Sequence, residues 1–95
     1  MYVDQPLVQY NVAEDCSRQM NPTDYPSGWQ RVAAGIWPWK CKDSVFQYNE
    51  CYNNQYAYHG NGDGQAWDAD WTDGTLYQYN YSHGNSRGAI MFCGA

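Results

Sequence analysis

The amino-acid sequence predicts an all-β fold of the parallel β-helix type, and two observations carry that prediction. The phrase Gln-Tyr-Asn closes similar segments at residues 9–11, 47–49 and 78–80, so the chain is built from repeats. The composition, with ten Tyr, five Trp and nine Gly, favours strands and turns over helices. Three short segments per repeat, separated by turns, are typical of a solenoid rather than a sandwich.

Each repeat can be aligned backwards from its Gln-Tyr-Asn phrase. Residues 35–41 (Gly-Ile-Trp-Pro-Trp-Lys-Cys) fall over residues 66–72 (Ala-Trp-Asp-Ala-Asp-Trp-Thr), and residues 88–93 look like the start of another copy. A unit then contains a small residue, a first strand, a turn, a second strand and a short third strand. Stacked units would place Asn11, Asn49 and Asn80 in a ladder of side-chain amide hydrogen bonds.

The length and spacing indicate one small domain with two long loops. Ninety-five residues allow a single domain, here spanning residues 1–95 as a truncated β-helix of about three coils. Residues 17–34 carry two Pro, and residues 53–64 are rich in Asn and Gly, so both predict loops. Because a solenoid exposes its open ends, we expect either self-association into a homo-oligomer or a longer chain around this segment.

Charge and cysteine spacing exclude several function classes. The net charge of −5 argues against nucleic acid or an anionic membrane surface as the partner. No apolar run is long enough to span a bilayer, and the first residues lack the features of a signal peptide. Cys16, Cys41, Cys51 and Cys93 lack the spacing of a zinc site, so we predict free thiols, with one disulfide as the alternative.

Residues 63–71 (Asp-Gly-Gln-Ala-Trp-Asp-Ala-Asp-Trp) hold the candidate site. In a strand, Asp68 and Asp70 share one face, which is unusual because Asp is depleted in strands. The opposite face is predicted to point inward with Trp67, Ala69, Trp71, Ile36, Pro38, Ala89 and Met91. The outward face is predicted to form two columns, which are Trp37, Asp68 and Ile90, and Trp39, Asp70 and Phe92.

Two carboxylates on one strand face suit glycoside hydrolysis. Alternate residues of a strand are roughly 6.5–7 Å apart, and inverting glycosidases hold their carboxyls about 6.5–9.5 Å apart. One carboxyl of Asp68 and Asp70 would then act as the general acid and the other as the base. The predicted substrate contacts are Trp37, Trp39, His59, Asp63, Arg87 and Phe92.

Two other uses of the acidic residues stay open. No resident metal is predicted, but Asp63, Asp68 and Asp70 offer oxygen ligands of the kind that Ca²⁺ takes. Alternatively, both strand carboxylates are structural, either solvated or hydrogen-bonded to the loop at 53–64. Arg87 also suits a surface turn, and His83 is a remote candidate for proton transfer.

Five motifs resemble bacterial right-handed parallel β-helix proteins of the pectate-lyase-like superfamily, over about residues 5–95. They are Gly-Ile-Trp-Pro-Trp, Phe-Gln-Tyr-Asn-Glu, Asp-Gly-Gln-Ala-Trp-Asp-Ala-Asp, Tyr-Gln-Tyr-Asn-Tyr-Ser-His and Arg-Gly-Ala-Ile-Met-Phe-Cys. The resemblance implies right-handed coiling, an extracellular location, and a polysaccharide or oligosaccharide partner. It implies hydrolysis more than lyase chemistry; the alternative is a non-catalytic, carbohydrate-binding or structural β-helix that self-associates.

Overall fold

The computed structural model describes residues 3–16, 34–54 and 64–93, and these ranges are all-β. Within them the strands are short and separated by tight turns. Their bounds are β1 Val3–Asp4, β2 Leu7–Gln9, β3 Val12–Glu14, β4 Cys41–Lys42, β5 Val45–Gln47, β6 Glu50–Tyr52, β7 Trp67–Asp70, β8 Leu76–Gln78, β9 Tyr81–His83 and β10 Ile90–Cys93.

Equivalent strands of successive repeats stack in parallel, which is the arrangement of a β-helix or solenoid. Strands β2, β5 and β8 form one sheet, and β3, β6 and β9 form a second. Two further pairs are β1 with β4 and β7 with β10. Leu7 pairs with Val45, and Val45 with Leu76, so the sequence repeat and the strand register coincide. The predicted all-β fold with parallel stacking is therefore confirmed.

An asparagine ladder runs through the stack, as predicted. The Oδ1 atom of Asn49 accepts hydrogen bonds from the backbone N–H and the Nδ2 of Asn11, both at 3.0 Å. Asn49 donates in the same way to Oδ1 of Asn80, at 3.0 and 3.1 Å. Asn49 is 2% exposed, so these bonds satisfy polar groups that would otherwise be buried without partners.

A second ladder was not predicted. Asn54 donates through its backbone N–H and Nδ2 to Oδ1 of Asn85, and Cys16 donates its backbone N–H to Oδ1 of Asn54. The buried Asn54 is thus part of the stack, although the sequence analysis assigned it to a loop. The equal offset of 31 residues in both Asn ladders was the signal that could have revealed it.

Three tyrosines occupy one turn of the stack with positive φ. Tyr10, Tyr48 and Tyr79 have φ of 58°, 55° and 53°, a conformation that costs a side-chain-bearing residue about 1–2 kcal/mol. Their rings stack with centroids 5.4 Å apart and planes inclined by 8°. Since aromatic pairs contribute about 0.5–1.5 kcal/mol each, the two ring pairs offset part of the backbone strain of the three tyrosines.

The core is small and lies inside the stacked repeats. Cys51 and Ala66 are fully buried with Trp67, and Ala13, Ile36 and Tyr77 pack against them. Burial, followed by the nearby Cys16, raises the pKa of the Cys51 thiol to about 12, so this thiol is neutral at physiological pH. The four cysteines, all of which the structure describes, are not joined in disulfides.

Gly35 stands where a side chain does not fit. A Cβ atom there would lie 2.6 Å from the Ala66 carbonyl oxygen and 2.7 Å from the Cys51 Sγ. We expect Gly35→Ala to lower the free energy of unfolding by about 1–3 kcal/mol, because one repeat must move off the next. Gly88→Ala is the control, since no atom lies within 4 Å of its Cβ position. Equal urea midpoints for the two variants would contradict the prediction.

The predicted alignment of β7 is correct against residues 36–39 of the preceding repeat and wrong against β10. Bridges join Ile36 to Trp67 and Trp39 to Asp70, as predicted. On the other side, Trp67 pairs with Ile90 and Asp70 with Cys93, one residue away from the predicted pairing. The predicted columns that contain Ile90 and Phe92, and the inward placement of Ala89 and Met91, are therefore wrong.

The register differs because two small residues precede β10. The sequence analysis aligned Gly88 with Ala66, whereas the observed pairing aligns Ala89 with Ala66. A one-residue shift moves every side chain of a strand to the opposite face. Phe92 consequently lies level with Ala69, and Cys93 takes the predicted position of Phe92 beside Asp70.

Trp71 does not point inward as predicted. It is 54% exposed and has a φ of 52°, because β7 ends at Asp70 and the chain turns there.

The predicted loops lie mostly outside the described residues, at 17–33 and 55–63, and they stay predictions. The described residues contain no helix with the length and apolar character needed to span a bilayer.

Candidate active site

Strand β7 brings the two candidate carboxylates together next to a thiol. One carboxylate oxygen each of Asp68 and Asp70 and the Sγ of Cys93 lie within 4.8 Å of one another. Cys93 comes from β10, which pairs with β7 in parallel register. Two adjacent strands therefore build one cluster of potentially nucleophilic and acidic groups.

Asp68 is more enclosed than the sequence analysis expected. Its side chain is 3% exposed, although an outward position predicts contact with solvent. The Oδ1 atom accepts a hydrogen bond from the Ala69 N–H at 2.9 Å, and Oδ2 accepts one from Nε2 of Gln65 at 3.2 Å. These bonds to an acceptor-only group compensate for the loss of water around the carboxylate.

Asp70 is the more open carboxylate of the pair. Its residue is half-buried, yet its Oδ1 is inaccessible to solvent and has no hydrogen-bond partner in the part of the chain that the structure describes. Buried oxygens without a donor are rare and mark a strained or functional position. Asp70 is therefore the carboxylate of the cluster whose described surroundings leave one oxygen without a donor.

Tyr77 supports the strand from the inside of the solenoid. Its hydroxyl donates a hydrogen bond to the backbone carbonyl of Asp68. Its ring lies 5.1 Å from Phe46 and 6.4 Å from Trp67, measured between centroids. Burial, followed by the charge of Asp68, raises the pKa of Tyr77, so the hydroxyl stays protonated and keeps its role as a donor.

Two tryptophans lie on the neighbouring repeat beside the carboxylates. Trp39 forms a bridge with Asp70, and the same offset of 31 residues places Trp37 level with Asp68. Trp37 is 47% exposed and Trp39 58% exposed. The Nζ of Lys40 lies 4.7 Å from the Trp39 ring centroid, within the range of a cation–π contact. Exposed indole rings next to carboxylates suit the apolar faces of sugar rings.

The other predicted contact residues are less closely tied to this cluster. Phe92 is 76% exposed and pairs with Ala69 rather than Asp70. Arg87 is exposed, and its backbone N–H bonds to the Gly64 carbonyl at the entrance to β10. His59 and Asp63 lie outside the described residues, and their predicted roles stay predictions.

His83 belongs to a different sheet from the carboxylates. It lies on β9, where its Nε2 is 2.8 Å from Oε1 of Glu50. Its ring stacks on that of Tyr52 with centroids 4.8 Å apart. The structure thus places this His in a surface contact between β6 and β9, and not in the acid cluster.

The described cluster does not supply a full calcium cage. Ca²⁺ takes about 6–8 oxygen ligands, whereas Asp68 and Asp70 offer carboxylates beside the thiol of Cys93. Asp68 and Asp70 lie in this cluster, and the third residue of the calcium prediction, Asp63, lies outside the described residues. Calcium binding consequently stays a prediction.

Three residues near the carboxylates were missed from the sequence. Cys93 was hidden by the one-residue error in register. Tyr77 was treated only as part of a repeated phrase, and nothing local in the sequence indicates that its hydroxyl reaches the backbone of Asp68. Gln65 was detectable, since a polar residue directly before a buried Ala-Trp pair is a candidate for a buried hydrogen bond.

Comparison with known proteins identifies close relatives of this segment. No family model matches the chain. A lacto-N-biosidase from Bifidobacterium longum subsp. longum is 62% identical over 96 residues, which cover 98% of this chain and 6% of that protein. A GH136 lacto-N-biosidase from Eubacterium ramulus, whose native protein has a crystal structure, shares 52% sequence identity with this chain. The two structures superpose with a TM-score of 0.75.

Both of these relatives are lacto-N-biosidases, and the E. ramulus protein is a GH136 member. The match to the E. ramulus structure covers 95% of this chain and 14% of that chain. The segment thus corresponds to a small part of each relative. The similarity to the E. ramulus structure agrees with the parallel stacking of the strands.

Proposed function

We propose that this chain is a β-helical part of a glycoside hydrolase that releases lacto-N-biose from oligosaccharides, with Asp70 contacting the reacting sugar and Asp68 as the second carboxylate. The observation that carries the proposal is the pairing of these carboxylates within 4.8 Å beside two exposed tryptophans. The relatives named above supply the substrate class. The proposal includes right-handed coiling of the pectate-lyase-like kind and an extracellular location.

The separation of the carboxylates favours retention of anomeric configuration. Inverting enzymes need carboxyls about 6.5–9.5 Å apart, so that a water molecule fits between acid and base, whereas retaining enzymes hold them about 5–5.5 Å apart. One oxygen of Asp68 lies within 4.8 Å of one oxygen of Asp70, and this limit on a single oxygen pair is the basis on which we propose the retaining arrangement. This differs from the inverting geometry that the strand spacing alone suggested.

The proposed reaction uses the two carboxyls in sequence. Asp70 donates a proton to the glycosidic oxygen as the bond from that oxygen to the anomeric carbon breaks. The Asp68 carboxylate attacks the same carbon and forms a glycosyl ester. Asp70, now ionised, takes a proton from water, whose oxygen displaces Asp68 and releases the sugar. The Asp68 attack requires its Oδ2 to leave the amide of Gln65.

The stereochemistry of the first product tests this proposal. An aryl β-lacto-N-bioside is incubated with the protein that contains this segment, and proton NMR follows the anomeric signals before mutarotation. We expect the β-anomer to appear first, because two displacements restore the original configuration. Initial formation of the α-anomer would refute the paired roles of Asp68 and Asp70.

A second candidate function is sugar binding without hydrolysis. The 3% exposure of Asp68 favours it, because an enclosed carboxylate reaches a sugar only after its surroundings rearrange. Lacto-N-biose binding with no release of the aryl group would support this alternative.

A further inference from the structure

We infer that the two ends of the stacked repeats bind each other, so that a second copy of this chain docks head to tail on the first. The inference is independent of the proposed function. Strands β1, β2 and β3 form the lower end of the stack, and β8, β9 and β10 form the upper end. Among the described residues, no strand covers β2 and β3 from below or β8 and β9 from above.

The glutamine ladder leaves a donor at the lower end and an acceptor at the upper end. Nε2 of Gln78 donates to Oε1 of Gln47 at 2.7 Å, and Nε2 of Gln47 donates to Oε1 of Gln9 at 2.8 Å. In the part of the chain that the structure describes, Nε2 of Gln9 and Oε1 of Gln78 take no further hydrogen bond. A second copy placed above the first brings its Gln9 donor to the Gln78 acceptor and continues the ladder.

The asparagine ladder has the opposite polarity and fits the same arrangement. Asn11 donates upward to Oδ1 of Asn49, and Asn49 donates upward to Oδ1 of Asn80. Within the described ranges, Oδ1 of Asn11 accepts no hydrogen bond and the backbone N–H of Asn80 donates none. In a head-to-tail pair, Asn80 of the lower copy donates to Asn11 of the upper copy. Docking of two lower ends would instead oppose donor to donor and acceptor to acceptor.

The strand edges carry complementary backbone groups at the same levels. The N–H of Leu76 donates to the Ser44 carbonyl at 2.8 Å, one repeat below. Leu7 is equivalent to Leu76 in the sheet register, so its N–H points to the lower end. The Thr75 carbonyl is equivalent to that of Ser44 and points to the upper end. Edges of this kind pair readily with a strand of another chain.

The stack of tyrosine rings is open at both ends. Tyr48, which has a ring on each side, is 47% exposed, whereas Tyr10 is 73% and Tyr79 71% exposed. A second copy placed one repeat above the first brings its Tyr10 ring over Tyr79. Because neighbouring rings within one chain lie in nearly parallel planes with centroids 5.4 Å apart, the new contact repeats an existing one.

The fourth stack of strands forms a step that fits the same arrangement. At the upper end, β10 covers β7. At the lower end, residues 36–39 bridge upward to β7, and no described strand lies below them. The β10 of the lower copy therefore fits beneath residues 36–39 of the upper copy. Because a lower end binds an upper end, the contact is heterologous, and each stack keeps one free end of each kind.

Gln9→Glu tests the lower end. The new carboxylate still accepts the hydrogen bond from Gln47, but it has no N–H to donate and places a negative charge against the Gln78 oxygen of the copy below. In sedimentation equilibrium of the 95-residue chain, we expect the wild type to associate as its concentration rises. The Kd of Gln9→Glu should be about 10- to 100-fold weaker. Lys42→Gln changes the net charge equally in the middle repeat, where Lys42 is exposed, and should associate like the wild type.

A mixture of two variants tests the direction of docking. Tyr79→Asp removes the ring from the upper end, and Asp is a residue type that tolerates the φ of 53° found there. At a concentration where the wild type associates, Tyr79→Asp and Gln9→Glu should each be monomers. An equal mixture should form complexes of two chains and nothing larger, since only one intact upper end and one intact lower end can meet.

Circular dichroism establishes that each variant is folded before its mass is compared. If Tyr79→Asp does not fold, the comparison of Gln9→Glu with Lys42→Gln decides by itself. A folded wild-type chain that stays monomeric as its concentration rises would overturn the inference and leave further repeats of a longer polypeptide as the occupants of the ends. Equal association of Gln9→Glu and Lys42→Gln, or a mixture of folded variants without two-chain complexes, would also overturn it.

Discussion

Replacing Asp70 with Asn is expected to lower kcat for hydrolysis of an aryl lacto-N-bioside by about 10²- to 10⁴-fold, the usual contribution of a general acid–base group. The amide nearly preserves the size of the side chain, but it can neither donate a carboxyl proton to the leaving oxygen nor take one from water. The substitution breaks no described hydrogen bond of Oδ1, because that oxygen has no partner among the described residues. Asp70 itself is half-buried. Steady-state kinetics measure the loss.

Asp73→Asn is the control for charge and side-chain type. Asp73 lies three residues further along the same repeat, where it is exposed and bridges to Lys42 through the backbone. We expect this variant to keep kcat within about twofold, since a surface charge contributes little at that position. If Asp70→Asn retains more than a tenth of the wild-type kcat, another group must supply the proton.

The largest effect on stability is expected at Asn49. In Asn49→Ala, the free energy of unfolding should fall by about 3–5 kcal/mol, because several buried groups lose their partners together. The side chain accepts two hydrogen bonds from Asn11 and donates to the Val8 carbonyl and to Asn80. Urea unfolding, followed by tryptophan fluorescence, measures the change, and a variant already unfolded in buffer would agree with it.

Asn11→Ala tests whether the position within the ladder matters. Asn11 is exposed, and its side chain donates from Nδ2 to the Gln9 carbonyl and to Asn49. The Asn11 backbone N–H still reaches Oδ1 of Asn49 after the substitution, so the expected loss is about 1 kcal/mol. Similar losses in the two variants would show that burial does not set the strength of the ladder.

The repeated phrases were sufficient to predict the fold class and the inner ladder. Stacked repeats place equal sequence positions next to each other, so an offset read from Gln-Tyr-Asn is also the offset of the strand register. The ladder of Asn11, Asn49 and Asn80 followed directly. The pairing of Trp39 with Asp70 followed from the same alignment.

The environment of the carboxylates could not be predicted in this way. Strand periodicity places Asp68 and Asp70 on one face, but whether that face meets water depends on what the adjacent repeat packs against it. Met91 and Cys93 reach this face because β10 pairs one residue away from the alignment of the small residues. Because side chains alternate, that single step exchanged the whole set of neighbours.

The sequence by itself determined the repeat, the parallel stacking and the candidate carboxylates, because these depend on periodicity and residue type. Only the tertiary structure decided that Asp68 is enclosed and that Gln65 and Tyr77 hold it from two sides. These contacts join residues that no repeated sequence pattern relates to one another. They depend on the close approach of repeats, which is set by packing and by buried polar groups finding partners.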